Sequence, residues 1–179
     1  MDDVKLMNQK IKKLGIIAVA EAAGLNKSTI SRYVNGQREY SLENYKKVFR
    51  AVQLIEEAGM RGRTSAREAT QRVVLGEDWQ IAYFDFIDSF LATKSEILLE
   101  QRPAEGLDIR SLALICAIVM QLCEENKVRA PDWARLSLEL EEPWFISKFK
   151  SLRAISLVQS PIYFKRNNIF VGDDFLKRA

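Results

Sequence analysis

The chain has 179 residues, 47% hydrophobic and 28% charged, the balance of an ordinary globular protein and not of a disordered or fibrous one. It contains no histidine, which removes the commonest general base and every nucleophile–histidine arrangement, so no enzymatic role is expected. The net charge of +3 divides unevenly: residues 1–63 hold twelve Lys/Arg against seven Asp/Glu, and residues 64–179 hold fifteen against seventeen.

Met1-Asp2-Asp3-Val4-Lys5 lacks the basic start and apolar core of a secretion signal, and a cytoplasmic location is expected. Leu6, Ile11 and Leu14 predict one apolar face on a short helix that carries Lys5, Lys10, Lys12 and Lys13 on its other side and ends at Gly15. A second helix is predicted over 16–23. Gly24 stops it, because a left-handed backbone position is cheap only for glycine. The short polar side chain of Asn26 is placed to cap a third helix over 27–35, closed by Gly36. After a polar turn at Gln37-Arg38-Glu39, Ser41 is placed to cap a fourth helix. Its Leu42, Tyr45, Val48, Phe49, Val52 and Ile55 recur at spacings of three and four.

Residues 59–65 are glycine-rich and basic and are read as a linker between a domain at 1–58 and a second at 66–179. Beyond them a short helix is predicted over 66–75, ended by Gly76, and then a long one over 78–101. The long pattern carries Trp79, Tyr83, Phe84, Phe86, Ile87, Phe90 and Leu91 around more than half its circumference. Pro103, Gly106 and Asp108 make a loop before 111–124, a helix apolar on all sides and therefore central to the body. Arg110, Gln121 and Glu124 limit its richest stretch, Ser111 to Cys123, so it falls short of a membrane span. Its Cys116 and Cys123 stand about two turns apart, which disulfide geometry forbids, and both are read as small core residues. With two thiols and no imidazole, a closed zinc site would need carboxylates or a second chain, so no metal is expected. Pro131-Asp132 and Pro143-Trp144 look like helix starts, and 146–157 has helical spacing. From Ser160 the pattern changes. Ile162-Tyr163-Phe164 and Ile169-Phe170-Val171 flank Lys165-Arg166-Asn167-Asn168 as a small hairpin, a helix pair or a docking strand. The expected fold is mainly all-α, a four-helix N-terminal bundle and a helical C-terminal domain with room for a short β element near the end.

The residues between 17 and 36 satisfy a demanding geometry. Two helices that cross tightly, so that the second projects its outer face into a major groove, need a small residue at the contact and a glycine at the turn. They also need apolar groups to hold the reading helix. Ala20, Gly24, and Val19, Leu25, Ile30, Tyr33 and Val34 supply these in turn. The run IAVAEAAGLNKSTISRYVNG, within residues 5–57, resembles the Cro and phage-repressor family of helix-turn-helix proteins. The resemblance implies binding to double-stranded DNA, with bases read by Lys27, Ser28, Ser31 and Arg32 and with Asn26 and Thr29 close by. It implies phosphate contacts from Lys13, Tyr33, Asn35, Gln37, Arg38 and Lys46. The sequence departs from the family at the front of the second helix, where a glutamine often supports the reading helix but Ile16, Ile17 and Ala18 stand.

Residues 64–179 contain no phosphate loop, nucleophile motif or ligand cluster, and no cofactor is expected. Asp85 with Asp88, and Glu139 with Glu142, are read as solvated faces. The aromatic run from Trp79 to Phe90 is either ordinary core or an interface closing a twofold dimer, and the dimer is favoured. The expected function is a homodimeric, autoregulatory repressor. An antitoxin-like regulator is the second reading, with 160–171 as the segment that holds a partner protein, unless that segment docks on its own domain. A small-molecule-responsive repressor is the third and needs a polar-lined cavity among the body's aromatics.

Overall fold

A computed structural model describes residues 2–136 and 138–177. The chain is mainly α-helical and divides into two compact units, Met1–Gly62 and Arg63–Ala179. The first comprises α1 (Asp2–Leu14), α2 (Ile16–Ala23), α3 (Lys27–Val34) and α4 (Leu42–Met60). Its core gathers Met7, Ile11, Val19, Ala20, Ile30, Tyr33, Val34, Val48, Ala51 and Val52. The inward stripe of α1 begins at Met7 and not at Leu6, which is 56% exposed. Positions 7, 11 and 14 share a helical face that residue 6 leaves by one step. On α4 the same rotation buries Ala51 and leaves Leu42 and Phe49 exposed. Gly59 and Met60, read as linker, belong to the last turn of α4.

At the end of α2, Gly24 takes φ +62°, ψ +35°, the left-handed conformation. Its amide donates to the carbonyl of Glu21 at 3.2 Å and the Leu25 amide to that of Ala20 at 2.9 Å. These two bonds satisfy carbonyls that a helix end would otherwise leave open.

The second unit is arranged around α7 (Ile109–Asn126), whose Ala113, Leu114, Ile115, Cys116, Ala117, Ile118, Val119, Leu122 and Cys123 are all buried. Asp108 caps it, accepting from the amides of Arg110 and Ser111 at 3.0 Å each. Before it come α5 (Ala66–Val74), opened by a reciprocal Ser65–Glu68 capping box, and α6 (Trp79–Thr93). The helix expected over 78–101 stops at Lys94, which takes φ +49°, and a 3-10 turn over Glu96–Leu99 follows. The indole of Trp133, in a 3-10 turn at Asp132–Arg135, donates to the Leu99 carbonyl at 2.8 Å and fixes that break.

Pro143-Trp144 opens no helix. Trp144–Phe145 is a strand, β1, paired in parallel with β2 (Ile169–Phe170) in the register Trp144↔Ile169, Phe145↔Phe170. The amides of Trp144 and Ile146 donate to the carbonyls of Asn168 and Phe170 at 2.9 and 3.0 Å, a tertiary pairing that overrides local helical spacing. The helix expected over 146–157 is reduced to a 3-10 turn at Lys150–Leu152 and α8 (Arg153–Gln159). Of the three arrangements open for the chain end, a short helix, α9 (Ile162–Arg166), and a docked strand are observed together.

The aromatic run of α6 is absorbed inside this unit. Tyr83, Phe86, Ile87 and Phe90 are buried, Trp79 meets Trp144 edge-on at 5.8 Å and Phe84 meets Phe175 at 5.5 Å. Segment 160–171 is likewise held in place: Phe164, Ile169 and Val171 are buried, and Asn167 Nδ2 donates to the Ala113 carbonyl at 3.0 Å. Both cysteines are free and buried. Among the described residues no helix is long and apolar enough to cross a membrane.

Candidate nucleic-acid interface

Helix α3 has two faces set by its spacing. Ile30, Tyr33 and Val34 point into the core, whereas Lys27, Ser28 and Arg32 are exposed and Thr29 and Ser31 are half-buried on the opposite side. Asn35 prolongs that outer edge, its side-chain amide donating to Ser31 Oγ at 3.4 Å. The next carbonyls are closed by a second left-handed glycine. Gly36, at φ +69°, lets the Gln37 amide return to the Arg32 carbonyl at 2.9 Å and turns Gln37 and Arg38 outward, both exposed.

What holds the reading helix is a half-buried polar network centred on the buried Tyr33. The Tyr33 ring stacks on Tyr40 at 4.1 Å, and its hydroxyl accepts from the Asn44 side chain of α4 at 2.7 Å. Tyr40 in turn donates to Asn8 Oδ1 of α1 at 2.7 Å, and Asn8 Nδ2 donates to the Tyr33 carbonyl at 3.3 Å. The C-terminal end of α3 is thereby tied to α1 and α4 together. Burial pushes the Tyr40 hydroxyl up to about 12, helped by the neighbouring Tyr33 and Tyr45 phenols, so it stays a neutral donor.

Two lysines of this unit are held in ion pairs within it. Lys10 is paired with Glu56 at 2.9 Å and Lys47 with Glu43 at 2.7 Å, and each of these links the unit to itself. Lys13, Lys27, Arg32 and Lys46 are exposed and form no ion pair among the described residues, which leaves their charge for an external anion. Arg38 lies over the Tyr33 ring at 5.8 Å, stacked on the network that fixes α3.

Two sequence expectations change. Tyr33, expected to touch phosphate, is 1% exposed and acts as the anchor of α3; the spacing of 30, 33 and 34 already put it on the inner face. Asn26 adopts cap geometry at φ −68°, ψ 140°, yet its side chain makes no capping bond, so the positive end of the α3 dipole faces outward uncapped. At the front of α2, Ile17 is 55% exposed and Ala18 is exposed, so no polar side chain stands where the family's glutamine often supports the reading helix. Asn8, Tyr40 and Asn44 were not foreseen. Their contacts join residues 11 to 32 apart in sequence, a distance at which periodicity carries no signal.

Residues 8–55 match the family model for the helix-turn-helix. The first unit is a helix-turn-helix of the Cro and phage-repressor type. The match spans a little over a quarter of the chain and places the helix-turn-helix on the elements that carry the exposed cations. No curated protein and no solved structure matches the chain. The helix-turn-helix over residues 8–55 is the DNA-binding module.

Proposed function

We propose that the chain is a transcriptional repressor that binds a two-part operator as a homodimer, each copy laying α3 in a major groove. The observation that carries it is the outer face of α3. Lys27 and Arg32 stand exposed and, among the described residues, without ion pairs on a helix whose inner face is fixed by the Tyr33–Tyr40–Asn8–Asn44 network. Lys and Arg at such positions donate to guanine edges, Ser28 and Ser31 serve base or phosphate acceptors, and Lys13, Lys46, Gln37, Arg38 and Asn35 flank them for the backbone.

An eight-residue reading helix reaches only a few base pairs, and two copies double the discrimination. This supports the dimer independently of the aromatic run. Selection from a pool of random duplexes, followed by footprinting and sedimentation of the complex, tests the proposal. A palindromic site with half-sites about 10 base pairs apart, bound by two chains, is expected. A single unrepeated half-site bound by one chain overturns the dimer, and the absence of any selected sequence overturns the repressor.

A second reading is favoured by one observation. The second unit exposes a basic and apolar face around α8, which suits a regulator that also holds a partner protein, as antitoxin-like regulators do.

A further inference from the structure

Helix α8 is turned inside out. Its one buried side chain is Ser156, whose Oγ donates to the Leu152 carbonyl at 2.9 Å and whose own carbonyl accepts from Ser160 Oγ at 2.7 Å. Ser160 is buried too and bonds the carbonyl and amide of Val171 at 3.0 and 2.8 Å. The hydroxyls fasten the helix to its unit and the aliphatic groups face out: Leu152 42%, Ile155 49%, Leu157 48% and Val158 78% exposed, with Phe149 at 71% and Ile162 at 59% at the two ends. A soluble unit gains nothing from this arrangement alone, and contiguous apolar surface of this kind marks a contact site.

Charge selects the occupant. The thirty residues 143–172 contain Lys148, Lys150, Arg153, Lys165 and Arg166 and not one carboxylate, although residues 64–179 hold seventeen Asp/Glu. None of the five cations is in an ion pair among the described residues. Two are held beside the apolar groups: Arg153 lies 5.0 Å over the Phe145 ring and Lys165 Nζ donates to the Val158 carbonyl at 2.8 Å. A second copy meeting this face across a twofold axis would set Lys148, Lys150 and Arg153 against the same three cations. A membrane is the poorer fit, because α8 is two turns long and its apolar groups spread from Ile155 through Val158 to Leu157, roughly 160° at ~100° per residue. A concave surface encloses such an arc, whereas a flat one reaches part of it.

We infer that the face formed by Phe149, Leu152, Ile155, Leu157 and Val158 docks an acidic protein, an apolar groove rimmed by Asp and Glu that meet Lys148, Lys150 and Arg153. The inference rests on the partner-holding reading of the second unit and leaves the DNA-binding reading untouched. It also shifts the contact from 160–171, where Phe164, Ile169 and Val171 are spent on the unit's own core and Ile162 marks the edge of the face, to α8 and the turn before it.

The test places a photo-crosslinking phenylalanine analogue at Val158 of the full chain in its native host, with the same analogue at Leu75, 78% exposed on the same unit, as the control. The protein captured from 158 and not from 75 is identified, purified and titrated against the full chain. A one-to-one complex is expected. It should weaken at least tenfold on raising salt from 50 to 500 mM and at least tenfold with Lys150→Glu/Arg153→Glu, while the circular dichroism and operator binding of that variant are unchanged. Capture of a second copy of the chain, retention on phosphatidylserine vesicles that the same variant abolishes, a complex indifferent to salt and to the variant, or no adduct at 158 would each overturn the inference. Loss of operator binding by the wild-type chain would instead count against the repressor.

Discussion

Arg32 and Lys27 differ from Lys46 in what they stand ready to touch, and their variants should separate accordingly. Arg32→Ala and Lys27→Ala remove donors from the exposed face of α3 and are expected to lose about 1–3 kcal/mol of specific binding and to change the preferred bases. Lys46→Ala removes one exposed cation from α4 and should weaken binding evenly across sequences, with a shallower salt dependence. Operator selection by each variant decides this, and an unchanged consensus for Arg32→Ala removes it from base reading. Tyr40 offers a test of the network beneath them. Its hydroxyl titrates near the ordinary 10 in the unfolded chain but at about 12 when folded, so it adds stability below pH 10 that is lost between pH 10 and 12. Tyr40→Phe should cost about 0.5–1.5 kcal/mol at neutral pH through the lost bond to Asn8, and should flatten the alkaline decline. Denaturant midpoints of the full chain across pH 8–12 measure both effects.

At the scale of the elements, the turn between α2 and α3 makes a graded prediction. A Cβ built on Gly24 meets nothing within 4 Å, so substitution there acts through the backbone and not through collision. Gly24→Ala should cost about 1–2 kcal/mol, Gly24→Asn less and Gly24→Val more, because φ +62° is strained for a β-branched residue and tolerable for asparagine. Ala20→Leu acts by the other route, overpacking a position 3% exposed, at about 1–3 kcal/mol. Thermal melts with operator binding compare the series, and equal losses for Asn and Val would show that φ is not the constraint. These turns were legible because their signals are local: a glycine at Gly24, a serine cap at Ser41, three-and-four spacing on α4. The β1–β2 pairing was not legible, since it joins backbone 25 residues apart and reverses the helical reading of Pro143-Trp144. Nor was the end of α6, because Lys94 carries no mark of a left-handed residue. The same distance rule hid Asn167, whose side chain donates to the Ala113 carbonyl and accepts from the Leu138 amide at 3.0 and 3.2 Å. Asn167→Leu should leave both groups unpaired and destabilise the second unit by about 1–3 kcal/mol for each, read by denaturation of the full chain.

For the molecule as a whole, the two compact units differ in construction: the helix-turn-helix carries the exposed cations of α3, and the second unit carries a face that is apolar outside and hydroxylic within. Operator binding and partner binding are therefore expected to respond to different substitutions, as the Arg32 and Arg153 variants test. The central helix of the second unit has one more property. Burial raises the Cys116 thiol to about 12 and the Cys123 thiol to about 11, the latter with the Glu96 carboxylate adding to the effect. At pH 8 the reactive thiolate is therefore a far smaller fraction of Cys116 than of a free cysteine. Iodoacetamide should leave the folded chain almost unlabelled and mark it only when α7 is laid open, so the alkylation rate reports how often the heart of the second unit comes apart. A tightly bound partner that slows this rate would reveal itself from inside the molecule, through two atoms it never touches.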